Sequence, residues 1–514
     1  MHYCILKVYF MPISYYSHNF TAKSIKMTSK SISVRLLLTL LVVFMAVTAA
    51  KAQKSADQSQ GHLKYVFLFI GDGMGLAEVN LTEAYQAALK GEKGLEKLNF
   101  TAFPNVGLVS TYANDRLTTC SAAAATSLAT GHKTNIGRIS MDSSGTVAYY
   151  SVATKAKEAG FRVGDVTTVS INHATPAAFY AHQPDRDNYY EIGQELSKSN
   201  FNFFAGGGFF IEDTSKTPSK EQQAQLIQRA EKSGYKIVTS RSEMEGLTAK
   251  DGKVLVISPK TEGESSLPYS IDADPGDFTL ADYTTAAIKV LDNEDGFFVM
   301  IEGGKIDWAG HGNDAGTLVQ EVIAFDQAIG IALDFYKQHP DETLIVVTAD
   351  HETGGLALGN EKMGYETNFG ILKYQKSSEE AMNWIVGDFK AKQTGDTLAD
   401  FNRMLKALEN ELGLNSHVHS TLLDSGETAD LKVRFYREVY GAKAPACWKD
   451  DGNSFMSEAV LIMDRKAGIS WGTGAHTAIN VPVYAIGPSS ELFSGYIDNT
   501  DIPKIIGKLM GIKE

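Results

Sequence analysis

Several short segments of this chain carry side chains of the kinds that hold metals and attack phosphorus. In Glu302-Gly303-Gly304-Lys305-Ile306-Asp307-Trp308-Ala309-Gly310-His311, Asp307 and His311 stand at i and i+4, so one helical turn brings both onto one face. That oxygen–nitrogen pair suits zinc. Asp350 and His351 are adjacent at the end of an apolar run, and His476 stands just before another. Ser121 opens an alanine-rich helical pattern closed by Gly131. A small hydroxyl at a helix N-terminus faces unpaired N–H groups that attract anions. Ser121 is therefore either a nucleophile toward phosphate or a cap of its helix. Thr175 with nearby carboxylates suits a hard ion such as Mg2+, and the Arg186 guanidinium suits bidentate grip of a phosphate. Asp185 and Asp187 beside Arg186 offer it a plainer role as a surface ion pair.

These groups need a frame. The apolar run Tyr65 to Ile70 stops at Gly71-Asp72-Gly73-Met74-Gly75, Phe297 to Ile301 stops at Glu302, and Leu344 to Thr348 stops at Ala349-Asp350-His351. Continuous apolar strands running into glycine- or acid-bearing loops predict the α/β class, with a large, mostly parallel sheet covered on both faces. In such sheets sites form beyond the carboxyl ends of the strands. A helix is expected from Thr279 to Leu291, with Thr279 and Asp282 as a capping box. Further helices are expected near 377–390, 396–411 and 427–440. Residues 357–470 then read as an insertion or lid on one domain spanning 53–514.

The N-terminus reads as a leader. Leu36 to Ala49 is apolar, preceded by Lys30 and Arg35 and followed by the Ala50-Lys51-Ala52 pattern of a cleavage site. Met27 is the expected start, so that 1–26 is an upstream extension and cleavage after Ala52 leaves a periplasmic or secreted chain without a transmembrane anchor. Residues 1–52 hold six basic and no acidic residues. The remainder carries 42 basic against 61 acidic residues, near −19. Such a charge argues against nucleic acid as a partner and is compatible with cations. Only Cys120 and Cys447 lie beyond the leader, so no disulfide framework is expected.

Taken in order, Gly71 to Gly75, Ser121 to Thr134, Glu302 to His311 and Thr348 to Glu352 resemble the signatures of the alkaline phosphatase family. The resemblance covers about residues 66–514. It implies an alkaline-phosphatase-like fold, small phosphomonoester substrates, and a homodimer. It also implies two zinc ions and one magnesium: the first zinc on Asp307, His311 and His476, the second on Asp350, His351, Asp72 and the Ser121 oxygen, and the magnesium on Thr175, Glu302 and the other Asp72 oxygen. Ser121 and Arg186 would be catalytic, through a zinc-activated phosphoserine intermediate.

Three positions depart from the common pattern. Cys120 replaces an aspartate that usually steadies the arginine, so Arg186 is expected to be more mobile and to bind phosphate less tightly. His173 stands where some members carry an aspartate near the magnesium; it is expected to reach that ion through a water, with zinc as the alternative metal there. Trp308 stands where others have lysine or histidine, either removing a charged contact to phosphate or packing over the pocket. The competing readings are a phosphodiesterase of the same superfamily and a non-catalytic phosphate- or metal-binding protein. The latter would need no nucleophile at Ser121.

Overall fold

The computed structural model describes residues 63–212 and 219–513, so the expected leader lies outside the described residues. In chain order the strands are β1 (Tyr65–Gly71), β2 (Asn105–Ser110), β3 (Arg162–Thr167), β4 (Phe203–Gly206), β5 (Lys236–Val238), β6 (Val254–Ile257), β7 (Phe297–Gly303) and β8 (Thr343–Thr348). They continue with β9 (Glu352–Thr353), β10 (Ala357–Leu358), β11 (Ile469–Ser470), β12 (His476–Thr477), β13 (Val481–Ile486) and β14 (Gly495–Asp498). Ten of them form one sheet in the order β14-β2-β13-β8-β1-β7-β3-β4-β6-β5. Only β13 runs antiparallel to its neighbours β2 and β8. The sheet is thus large and mostly parallel.

Every residue of β1, β7 and β8 is buried, as their unbroken apolar runs require when helices cover both faces. Alternation along the strands decides which helix each residue meets. Phe67 and Phe69 pack edge-on against Phe335 and Phe325 of the helix Ala315–Gln338. Phe298, one residue out of phase with that set, stacks on Phe179 of the helix Ala174–Tyr180. Glu302 shares the parity of Phe298, so it projects toward the helix that carries Thr175.

Register then brings the acids together. Ile70 of β1 is level with Glu302 of β7 and with Thr348 of β8. Asp72 and Asp350 therefore each lie two residues past one common rung, with Glu302 on the rung itself. Beyond β8, β9 pairs antiparallel with β12, setting His476 opposite Thr353. A 163-residue separation between His311 and Gly474 is closed by the same return.

β10 pairs with β11, so the chain leaves the body after Leu358 and returns to it at Ile469. The intervening segment contains the helices Glu379–Ala391, Thr397–Glu411, Ser425–Tyr440 and Phe455–Ala467. Three of these lie at the expected positions. The fourth is announced only by local signals: the Ser454 side chain accepts from Ser457 N–H at its start, and Gly468 with φ +92° ends it. The capping box of Thr279 and Asp282 forms as expected, on the helix Leu280–Leu291.

Candidate active site

Ser121 is the first residue of the helix Ser121–Thr130, and Cys120, not Ser121, is its N-cap. The Ser121 hydroxyl does not cap the helix. Its Oγ lies 3.4 Å from His351 Nε2. The serine is buried, as is the whole helix, and the run of alanines lets that helix pack closely against its surroundings.

Two imidazoles face one another on the outer side of the site. His311 Nδ1 donates to the Gly474 carbonyl at 2.8 Å, and His476 Nδ1 donates to the Thr119 carbonyl at 3.0 Å. A carbonyl only accepts, so each ring carries its proton on Nδ1 and presents a lone pair at Nε2. These two Nε2 atoms are 3.1 Å apart, with Asp307 oxygens at 3.4 and 3.6 Å. Four electron-rich atoms at such separations call for a cation between them.

The inner side repeats this logic. Thr353 Oγ1 donates to Asp307 Oδ1 at 2.5 Å, so it must accept from His351 Nδ1 at 3.2 Å. That fixes the His351 lone pair on Nε2, which points at Asp350 Oδ2 at 3.2 Å and Asp72 Oδ1 at 3.4 Å. Asp350 Oδ1 is held by the N–H groups of Gly73 and His351. On the third side, Thr175 Oγ1 donates to Asp72 Oδ2 at 3.3 Å, and Thr167 Oγ1 donates to Glu302 Oε2. Asp72 Oδ1, Asp350 Oδ2 and Glu302 Oε1 are buried and have no hydrogen-bond partner. Unpaired buried carboxylate oxygens are costly, and three of them converging fit a set of divalent cations. Three groups of donors meet the separations a metal needs: Asp307 with His351 and His476, Asp72 with Asp350 and His351, and Asp72 with Glu302 and His173.

Electrostatics agree with the geometry. Burial, then Asp350, Asp307 and Glu302, push the Asp72 carboxyl well above the usual range. Burial pushes Glu302 up to about 8, and burial with Asp307 pushes Asp350 up to about 7. His351 is held well below its usual value by burial and by His476 and His311. So many acids that resist ionising together, beside an imidazole that stays neutral, form a cation-seeking cavity.

Arg186 is not paired with Asp185 or Asp187 among the described residues; its Nη2 donates to His173 Nε2 at 3.1 Å. Its backbone N–H donates to the Gly137 carbonyl, while the Gly137 N–H donates to Cys120 Sγ at 3.3 Å. The guanidinium thus meets an imidazole, and the Arg186 backbone is linked through Gly137 to the Cys120 thiol. His173 is held neutral, down to about 3, by burial and by Arg186. Trp308 meets the His173 ring edge-on at 6.1 Å and takes the Lys305 ammonium on its own ring at 4.9 Å.

All the residues singled out in the sequence fall at this one edge of the sheet. The support around them is harder to find from sequence. Thr353 follows His351 by two residues and so shares its face in an extended segment; that alternation is the one available signal. Thr167 has none, because its partner Glu302 is 135 residues away. Glu352, next to the Asp-His pair, accepts from Thr477 Oγ1 and the Leu356 N–H.

The comparisons with known proteins agree. A family model described as alkaline phosphatase matches residues 63–512. Alkaline phosphatase 3 of Bacillus subtilis is 35% identical over 476 residues, which cover 90% of this chain and 93% of that protein. Among solved structures, the cold-active alkaline phosphatase of a psychrophilic Shewanella superposes with a TM-score of 0.71 at 31% identity, covering 87% of this chain and 99% of that one. A variant of the alkaline phosphatase from the Antarctic bacterium TAB5, with Mg bound in its M3 site, superposes with a TM-score of 0.58 at 25% identity, covering 88% of this chain and 100% of that one. With the sheet, the convergent acids and imidazoles, and a serine at a helix N-terminus already in place, the match over nearly the whole described chain makes this protein a member of the alkaline phosphatase family and a phosphatase.

Proposed function

We propose that this phosphatase hydrolyses small phosphate monoesters by way of a phosphoserine at Ser121. The observation that carries this reading is the placement of Ser121 Oγ at a helix N-terminus, 3.4 Å from His351 Nε2, the atom that also lies 3.2 and 3.4 Å from the unpaired oxygens of Asp350 and Asp72. Asp307, His311 and His476 would hold one zinc, and Asp72, Asp350 and His351, with the Ser121 oxygen, a second. Thr175, Glu302 and Asp72 would hold a magnesium. When bound, the ions supply Lewis-acid chemistry, lowering the pKa of a coordinated hydroxyl or water and offsetting negative charge on departing oxygen.

The chain's own residues supply the rest. Ser121 is presented on a rigid, buried helix whose first N–H groups and positive dipole end face the incoming phosphoryl oxygens. Arg186 offers paired N–H donors to two nonbridging oxygens, where phosphoryl transfer spreads its charge. The Oγ–phosphorus bond forms as the ester oxygen departs as alcohol. A water oxygen then displaces Oγ, releasing phosphate and restoring the serine. Because a guanidinium can only donate, the Arg186 bond requires the lone pair of His173 at Nε2 and its proton at Nδ1. A protonated Nδ1 does not ligate a metal directly, which favours magnesium over zinc at the third position. Export before action is part of this reading and rests on the leader pattern of residues 1–52.

The test is Ser121→Ala together with trapping of labelled phosphate from a monoester and from a diester. The expected result is phosphate on Ser121 from the monoester only, and turnover lowered on the order of 10^3-fold or more in the variant. Unchanged turnover in Ser121→Ala would overturn the nucleophile, and preferential hydrolysis of the diester would overturn the substrate class.

A further inference from the structure

The helix that begins at Ser121 ends at Thr130, with Gly131 closing it at φ +77°. About 15 Å from the serine, its far end packs with the helices Val152–Glu158 and Asp501–Leu509 around an open groove of about 830 Å3. This volume lies within the roughly 300–1,000 Å3 of small-ligand sites. The groove is lined on its apolar side by Ala129, Val152, Pro503, Ile505 and Ile512. Around it stand Lys155, Lys504, Lys508, Lys513 and His132.

No carboxylate among the described residues pairs with any of these four lysines. The adjacent Lys133, outside the groove, is by contrast taken up by Asp498 at 3.1 Å and by Asn499 at 2.7 Å. The lysines act on their neighbour: His132 is pushed below its usual value by burial, then by Lys504 and Lys155. Lysines near helix C-terminal ends are ordinary, because the dipole favours them there. That accounts for Lys155 and Lys508 one at a time. It does not account for Lys504 in the first half of its helix, nor for four ammonium groups without a carboxylate partner among the described residues around one apolar depression in a chain of net charge −13. Apolar lining with a rim of a single sign is complementary to a ligand that is apolar at one end and anionic at the other.

We propose that this groove is a binding site for a single-chain anionic amphiphile, an alkyl tail seated on Val152, Ile505 and Ile512 with its charged head against Lys504 and Lys508. The site is separate from the metal cluster, and its occupancy does not depend on the phosphatase reading.

Dodecanoate is the probe, because it has no phosphoester for the active site to cleave. Calorimetry on the purified protein, below the micellar concentration of the probe, should show one site with a dissociation constant in the micromolar range. The K504E/K508E variant should weaken binding at least about tenfold, and raising NaCl from about 0.02 to 0.3 M should weaken it several-fold. Both lysines are exposed, so the variant keeps its fold, and its circular dichroism verifies that. Ser121→Ala should bind dodecanoate as the unaltered protein does. Absence of binding, equal binding by K504E/K508E, or equal affinity for dodecyltrimethylammonium or dodecyl maltoside would each overturn the proposal.

Discussion

The carboxyl edge of the sheet and the helical segment between β10 and β11 differ in how much buried charge they leave open. In the helical segment Arg434 and Asp400 are closed by the protein itself, while Asp464 alone among its buried acids keeps one oxygen without a partner. Arg434 donates to Asp430 at 2.9 Å, to both oxygens of Asp451 at 2.9 and 2.7 Å, and to the Asn453 carbonyl at 2.6 Å. Asp400 accepts from the Thr394 N–H and hydroxyl, from Arg403 and from Tyr440. At the sheet edge, Asp72, Asp350 and Glu302 each keep one buried oxygen with no partner. The first region uses charge to hold itself together. The second leaves charge open at a cost in stability, which is the arrangement expected where the partner comes from solution.

This contrast can be broken by substitution. Asp72→Asn removes one open charge while keeping the shape. It should lower phosphomonoesterase turnover on the order of 10^3-fold, about 4 kcal/mol of barrier, and yet raise the melting temperature of the metal-free protein. A metal-free Asp72→Asn that melts lower than the unaltered protein would show that the edge is not under repulsive strain.

The pH dependence of the chelated protein is the next largest effect. Folded Glu302 and Asp350 keep their protons up to about 8 and about 7, against ordinary values of 4.5 and 3.8. Between those limits the folded state binds more protons than the unfolded one, so stability falls as pH rises. After chelation, the melting temperature should decline from pH 5 to pH 8, a loss of a few kcal/mol at about 1.4 kcal/mol per unit. Zinc and magnesium should remove the decline. A flat profile without metal would contradict the account of the open edge.

Arg434→Ala tests the closed region. It strands Asp430, Asp451 and Glu458 around a vacated buried position and should cost about 3 kcal/mol in chemical denaturation, with turnover per folded molecule unchanged. Loss of specific activity alongside stability would tie the helical segment to the chemistry more closely than proposed. The smallest effect belongs to Thr353→Val, which deletes the hydroxyl linking Asp307 to His351. Zinc affinity should fall about 10- to 100-fold, read by competition with a chelating dye, with little change in metal-free stability. Unaltered affinity would remove Thr353 from the support of the site.

Much of this site is legible in the amino-acid sequence. Strand ends leading to Asp72, Glu302 and Asp350, the i, i+4 pair Asp307 and His311, and the helical start at Ser121 are local patterns, and local patterns are written in spacing. The contacts of Arg186 are not legible there. Its guanidinium donates to His173 and its backbone N–H to the Gly137 carbonyl. Neither contact has a sequence signature, because both depend on where two loops fold back. The neighbours of Trp308, His173 and Lys305, likewise become visible only once packed.

By itself the sequence determined the α/β class, the segments that bear donor atoms and the residue types in them, because apolar period, helical spacing and turn chemistry act over a few residues. Tertiary structure alone decided which donors lie together. Strand register levels Ile70 with Glu302 and Thr348, and the β9–β12 pairing carries His476 across more than a hundred residues to His351. It also decided the tautomers, because the proton on each imidazole is set by a carbonyl or hydroxyl that only the folded chain brings within reach.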